Sequence, residues 1–449
     1  MRMTRPFLAA LLACATATPA FSAEWHVAVG GSGSGSASAP FGRVQDALNV
    51  AQPGDIITVA PGTYAGAITT VRGGTPQAPI TLRARDARGS AIITAGGRVF
   101  TVGHPYITVD ALVLDGQFGA DDVVRVGGGA TRFTLRNAEV RSTSRDAVDL
   151  GATEDVLIEG SVIHHALNAA DGRTDAHGIV AGAARRLTIR DTEVHTFSGD
   201  AFQIDPGRAA PGWSDVLIEG CRFWLRPLPE PVNGFAAGVV PGENAVDTKV
   251  GESLPRGSIT IRNSEFYGFR GGLISNMAAL NIKEHVDAVI DRVTIHSSEI
   301  AFRLRAPANV RVQNAVVHSV SVAVRYEDNI QGIRIWNSTF GGGIARAFQA
   351  ASSSGSSLDV RNLALLGTAM PSEASGSSNL ALPASAFSNA AGHDYQLSAG
   401  SSAIDKGVTI AEVTTDRAGS RRPQGAAYDV GAYERGHRPA PPTNLRVVR

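Results

Sequence analysis

The feature that most limits what this chain can become is a short apolar triplet that keeps returning. Ile80-Thr81-Leu82, Ile107-Thr108-Val109, Phe133-Thr134-Leu135, Val156-Leu157-Ile158, Leu187-Thr188-Ile189, Val216-Leu217-Ile218 and Ile259-Thr260-Ile261 form one series. Val289-Ile290, Val310-Arg311-Val312, Ile333-Arg334-Ile335 and Leu358-Asp359-Val360 continue it. With the last residue of each as marker, typical steps are 27 residues (82 to 109), 23 (135 to 158), 29 (189 to 218) and 23 (312 to 335). Many triplets lead through a polar residue or glycine into a second short strand, as in Arg190-Asp191-Thr192-Glu193-Val194-His195. Repeats of roughly 22–30 residues built from short strands are a solenoid signature. Leucine-rich repeats share the period, but their leucine and asparagine ladder is absent, and a β-sandwich does not explain eleven segments at this spacing. The reading is all-β: a right-handed parallel β-helix whose coils stack about 4.8 Å apart.

The ends of the chain are read against that solenoid. Phe41, Val44, Ala47, Leu48 and Ala51 share one face of an amphipathic helix, expected to cap the first coil, whose edge is otherwise unpaired. Met1-Arg2-Met3-Thr4-Arg5 and the apolar run after it read as a secretory signal over 1–23, so a secreted or periplasmic protein is expected. Cys14 falls within that signal, which leaves Cys221 alone and no intramolecular disulfide in the mature chain. Residues 24–64 are expected to form the N-terminal cap and first coil, 65–365 the β-helix, 366–437 the C-terminal coils and closing segment, and 438–449 a Pro-rich tail. The 41 basic and 41 acidic residues balance, which argues against nucleic acid or an anionic membrane surface as a generic partner. No second apolar run is long enough to span a bilayer. A monomer is expected.

One step departs from the period. Ile218 to Ile261 is 43 residues, and the excess falls in the Pro-rich, aromatic stretch from Arg222 to Gly242. Long excursions from a regular solenoid are usually functional loops. This one leads into Asn244-Ala245-Val246-Asp247-Thr248-Lys249-Val250, where a strand would set Asp247 and Lys249 together on the outer face. Aligning the strand that precedes each triplet puts Val124, Val148, Ile179, Phe202, Val246, Ile274, Phe302 and Val324 inside. One outward column then reads Arg125, Asp149, Val180, Gln203, Asp247, Ser275, Arg303, Arg325, and the next Gly127, Gly151, Gly182, Asp205, Lys249, Met277, Arg305, Glu327. Asp146, His177, Asp200 and Asn244 stand at the strand entrances. The outer face so read carries carboxylates in its earlier coils, Lys249 in the middle and arginines beyond. A solvated face with inter-coil ion pairs is the plainer reading of any single residue; the concentration of ionisable groups beside the one long insertion favours a site.

These residues resemble the right-handed parallel β-helix family of polyuronate lyases and epimerases across roughly 25–435. Pro40-Phe41 through Gly54-Asp55-Ile56, with Pro61-Gly62-Thr63-Tyr64, looks like the start of such helices, and Tyr428-Asp429-Val430-Gly431-Ala432-Tyr433-Glu434 like the closing motif of secreted relatives. Asn244 to Lys249 is similar to the strand that carries the catalytic lysine of alginate- and chondroitin-type lyases, and Phe302-Arg303-Leu304-Arg305 to the strand of its arginine partner. A coil containing Met277 would intervene, setting Lys249 and Arg305 roughly 10 Å apart. Asp175-Ala176-His177 and Gly199-Asp200-Ala201-Phe202-Gln203-Ile204-Asp205 look in part like mannuronan C5-epimerases, with Ala176 and Gly178 where those carry proline and glutamate.

The resemblance implies removal of the proton at C5 of a uronate, followed by β-elimination in a lyase or reprotonation in an epimerase. Lys249 is expected to be the base, with Arg303 and Arg305 binding or neutralising the substrate carboxylate, as oxyanion stabilisation requires. Asp205 and His177 are expected as acid or second base. Gln203 and Arg325 would contact substrate, and Asp149 and Asp247 would orient groups or bind Ca²⁺. The expected partner is an acidic polysaccharide. A non-catalytic exported β-helix that binds glycan or a cell-surface partner fits the fold equally well, since fold does not dictate function.

Overall fold

The computed structural model describes residues 22–169, 175–272, 274–351 and 355–436. Apart from Ser22 and Ala23, the expected signal lies outside them, as does the Pro-rich tail. The chain winds as a parallel β-solenoid of about twelve coils. All eleven triplets fall in one parallel ladder, which runs from Glu24–Val27 to Leu358–Arg361. Its inward file is Ile57, Leu82, Val109, Leu135, Ile158, Ile189, Ile218, Ile261, Ile290, Val312, Ile335 and Val360, each paired with the next. Burying such a file in every coil is what holds a solenoid together, because each coil meets only its neighbours.

Two residues past the marker, ten successive coils bend through a left-handed residue. Ala111, Asn137, Gly160, Asp191, Gly220, Asn263, Arg292, Asn314, Asn337 and Asn362 have φ between 45° and 67°. That conformation costs an ordinary side chain about 1–2 kcal/mol and is easiest for Gly, Asn and Asp, which explains the polar or glycine residue after most triplets. The chain then enters the two remaining faces. The second face holds Val124–Val126, Val148–Leu150, Ile179–Ala181, Phe202–Ile204, Val246–Thr248 and Ala278–Ile282 in register. The third holds Glu139–Thr143, Val162–Ala166, Glu193–Phe197, Arg222–Trp224 and Glu265–Tyr267. These faces merge into one sheet because Thr294–Arg305 and Val316–Glu327 run unbroken through both.

Along the outside of the third face, His164, His195, Trp224, Tyr267, His296, His318 and His393 stack in file. Successive centroids lie 4.9, 4.4, 5.9, 4.8, 5.0 and 4.0 Å apart, with planes within 16° of parallel. Burial holds the imidazole of His195 down at about 3 and that of His318 at about 4, with neighbouring histidines adding to the effect.

Three expectations need correction. The helix spans Val44–Val50, shorter than 41–51, and buries Val44, Ala47 and Leu48 against the first strands. The insertion begins at Leu225, since Arg222–Trp224 is a regular strand of the third face. In the coil after Asp247 the inward residue is Leu280, not Ile274: the strand is Ala278–Ile282, and Val246 pairs with Leu280. Ile274 is only half-buried, in the turn before that strand, and Leu273 lies outside the described residues.

Beyond the last triplet the chain folds back along the solenoid. Asn314 Nδ2 donates to the Thr415 carbonyl at 3.1 Å, and Arg417 Nη1 to that of Val293 at 2.7 Å. Arg422 and Glu434 form a fully buried ion pair at 2.7 Å. Arg422 also donates to Asn314 Oδ1 and to the carbonyls of Asp429 and Gly431, while Glu434 accepts from the amides of Gln424 and Asp429.

Candidate functional site

The second face places two similar strands side by side. Ala245-Val246-Asp247-Thr248-Lys249 is followed one coil later by Ala279-Leu280-Asn281-Ile282-Lys283. The outward column therefore reads Arg125, Asp149, Val180, Gln203, Asp247, Asn281, Arg303, Arg325. Asn281 replaces Ser275, and Lys283 stands where Met277 was expected.

That correction changes the chemistry around Asp247. Its buried carboxylate accepts from Asn281 Nδ2 at 2.9 Å and from Lys283 Nζ at 2.9 Å on Oδ1, while Lys249 Nζ lies 3.4 Å from Oδ2. Burial raises the Asp247 carboxyl above its ordinary value, the Asp200 carboxylate adds to this, and the two lysines oppose it. Two amines thus share one carboxylate, and their side chains keep 20% (Lys249) and 15% (Lys283) of their surface exposed against 5% for Asp247. Lys249 is the more loosely held. The backbone at its base is fixed: Trp213 Nε1 donates to the Lys249 carbonyl at 2.8 Å, and Thr248 Oγ1 bonds to Lys283 in both directions.

Above this strand pair, the entrance column is a ladder of side chains bonding to backbone. Asp146 Oδ1 accepts from the amide of His177, Asp200 Oδ1 from that of Asn244, and Asn244 Oδ1 from that of Ala278, at 2.9–3.1 Å. Asp200 also accepts from Asn244 Nδ2 and, on Oδ2, from Gln203 Nε2, both at 2.8 Å. His177 lies against Gly199, where a Cβ would come within 2.2 Å of its Nδ1. That Nδ1, buried 3.9 Å from Asp146, has no hydrogen-bond partner among the described residues. Beside the ladder, burial and the Asp200, Asp175 and Asp247 carboxylates push the Glu243 carboxyl up to about 8, with Lys249 opposing. At neutral pH Glu243 therefore carries a proton that it can give up.

Of the residues expected to act together, Lys249 and Asp247 do meet, and Gln203 lies one coil before them. The arginines form a separate group around Glu327. Arg303, Arg325 and Arg305 lie 2.9, 2.7 and 3.2 Å from it, Arg305 reaches Asp328 as well, and Arg325 donates to Asn276. Lys283, not an arginine, is the cation next to Lys249. Asp205 sits in a left-handed turn and spends one oxygen on the Ala209 amide; burial raises its carboxyl. Asp149 is three coils away, against Arg125.

Asp122, Asp146 and Asp149 each offer an oxygen within 4.8 Å of the others and could hold a metal ion. The donors are already engaged: Arg145 Nε lies 3.0 Å from Asp122, Arg125 contacts Asp149, and the His177 amide bonds Asp146. Ca²⁺ takes six to eight oxygens, and three carboxylates faced by guanidiniums do not supply that set. At Asp247 the position of a cation is taken by two ammoniums. No step below runs through a metal.

The insertion walls this region. Asn233 Nδ2 donates to Ser144 Oγ and to the Leu167 carbonyl, and Leu228 and Phe235 pack on Leu167. A cavity of about 590 Å³ opens between Arg145, Asn168 and Asn233.

Lys283, Asn281 and Glu243 were missed from the sequence. The first two were visible in the repeat of Ala-Val-Asp-Thr-Lys as Ala-Leu-Asn-Ile-Lys. For Glu243 no signal existed, since its character comes from burial among carboxylates.

No protein-family model matches the chain, and no curated protein is similar to it. Solved structures do match. Pectate lyase Pel9A superposes with TM-score 0.50 at 17% identity, over 92% of this chain and 97% of that one. The A-module of the mannuronan C-5 epimerase AlgE6 of Azotobacter vinelandii gives 0.48 at 13%, over 72% and 94%. The alginate lyase of Paenibacillus sp. str. FPU-7 gives 0.46 at 18%, over 75% and 99%. At such identities the likeness is one of fold: the chain has the parallel β-helix architecture of pectate lyase Pel9A.

Proposed function

We propose that the protein is an exported lyase that cleaves an acidic, uronate-containing polysaccharide by proton abstraction at C5 and β-elimination. The observation that carries this is the pair of amines on one buried carboxylate, Lys249 and Lys283 on Asp247. Asp247 offsets the charge of Lys283, the cation held closest to it, so that Lys249 can work as the neutral amine. Lys283, held at 2.9 Å, is the fixed cation that stabilises charge building on the substrate carboxylate. Lys249 as the neutral amine takes the C5 proton; the electrons of that C–H bond form the C4–C5 double bond, and the C4–O4 bond breaks. The leaving O4 takes a proton from Glu243, whose protonated carboxyl suits the task. His177 stands nearby as a second donor. Arg303, Arg305 and Arg325, matched by Glu327, bind further uronates along the polymer.

A right-handed coil and an end-covering role for the helix Val44–Val50 go with this reading; its packing on the first strands supports the latter. The test is incubation with a panel of polyuronates, followed by ultraviolet absorbance of unsaturated products and by deuterium uptake at C5. Lys249→Ala should abolish both signals, and full activity in that variant sinks the assignment. Exchange without cleavage would make the protein an epimerase, and binding with neither signal a glycan-binding protein.

A further inference from the structure

A second groove lies on the first face, away from the lysine pair. It has a volume of about 450 Å³, within the range of pockets that hold a small ligand. Its floor is the outward file Thr260, Val289, Arg311 and Arg334 in successive coils, and the returning C-terminal segment supplies Glu412 at the rim.

The charges in this groove are sorted. At one end Asp215 bonds Ser214 and Ser258, and Asp287 pairs with Arg256 at 2.8 Å. At the other, Arg311 and Arg334 sit one coil apart, half-buried. Among the described residues neither has a carboxylate partner: Arg334 donates to Asn309 Oδ1 at 2.8 Å, and the buried Nε of Arg311 has no partner. Most other arginines of this solenoid are ion-paired across coils, as Arg262 is to Glu219 and Arg136 to Asp110. Two adjacent guanidiniums lacking such partners leave planar donor forks free for an oxyanion.

We propose that this groove is a second glycan site that takes a uronate residue, its carboxylate on Arg311 and Arg334 and its hydroxyls toward Ser258 and Asp287. A neutral sugar would leave the arginines unmatched, and a simple anion would not fill the groove. The choice of uronate, in preference to other carboxylated ligands, rests on the function proposed above; the site itself does not depend on Lys249. It would hold the polymer on one face while the lysine pair works on another, raising the effective concentration of chain at the cleaving face.

The test uses the full chain in a Lys249→Ala background, so that cleavage cannot remove the ligand. Titration calorimetry with trisaccharides of galacturonate and of mannuronate, and with neutral galactotriose, reads the affinity. Two acidic-trisaccharide sites should titrate, one on each face, and Arg311→Gln with Arg334→Gln should weaken one of them at least tenfold. Thr260→Trp, which fills the groove and spares both arginines, should do the same; unfolding curves on each variant confirm the fold. Unchanged affinity in both variants, equal binding of galactotriose, or no binding of any acidic trisaccharide overturns the proposal. Loss of the lyase reading through an active Lys249→Ala leaves this result standing on binding alone.

Discussion

Among the buried carboxylates that meet cations, Glu434 and Asp247 are held in two different ways. Glu434 faces Arg422 one to one, both side chains fully enclosed; backbone groups and Asn314 Oδ1 engage the other atoms, while the buried Arg422 Nε has no partner among the described residues. Asp247 is as deeply placed, yet it faces two lysines whose side chains reach partly into solvent. The first arrangement is closed: charge is matched, and nothing is left for another molecule. The second sets two amines on one carboxylate, with both lysine side chains reaching the surface. Burial alone therefore does not separate a closed ion pair from an open one; the number of partners and the direction in which they are exposed do.

That contrast can be broken by substitution. Arg422→Ala should cost about 3–5 kcal/mol of stability, because Glu434 is left buried without its partner. Chemical unfolding should show this loss, while activity per folded molecule stays near wild type. Lys283→Ala should do the reverse, lowering turnover about 10²-fold through loss of one stabilising charge with little change in the unfolding midpoint. A large stability loss at Lys283 with no loss of turnover would make the two clusters alike.

Smaller effects sharpen the comparison. Glu243 titrates near 8 in the folded chain against an ordinary 4.5. The unfolded chain therefore releases this proton first, and folding loses stability as pH rises from about 4.5 to 8. Glu243→Gln should remove that slope: thermal melts of wild type and variant should agree near pH 4 and diverge in favour of the variant by pH 8. Smallest of all, chelation or added Ca²⁺ should change the cleavage rate less than twofold. A strong Ca²⁺ requirement would mean that Arg125 and Arg145 give way to the ion at Asp122, Asp146 and Asp149.

The first ladder was fully legible because its inward triplet returns in coil after coil, followed in most of them two places later by a residue tolerant of positive φ. The second face was legible in its other coils but not in the one after Val246. There the corner is longer, and Leu273-Ile274 offers an apolar pair just where the period asks for one. Choosing Ile274 shifted the strand by six residues and hid Lys283 behind Met277. The insertion was found from its length alone, though its first three residues proved to be ordinary strand. Glu243 was beyond reach for another reason: its character depends on burial and on which carboxylates and amines lie across neighbouring coils.

The file of stacked rings on the third face turns acidity into a mechanical load. His195 and His318 stay neutral in the fold down to about 3 and 4, whereas an unfolded histidine takes up its proton near 6.5. Each step of acidification through that window pulls toward the open chain, on the face next to the lysine cluster. The proposed substrate, a polymer of uronates, gathers protons around itself as counter-ions, and on it this load would be greatest where the polymer is densest.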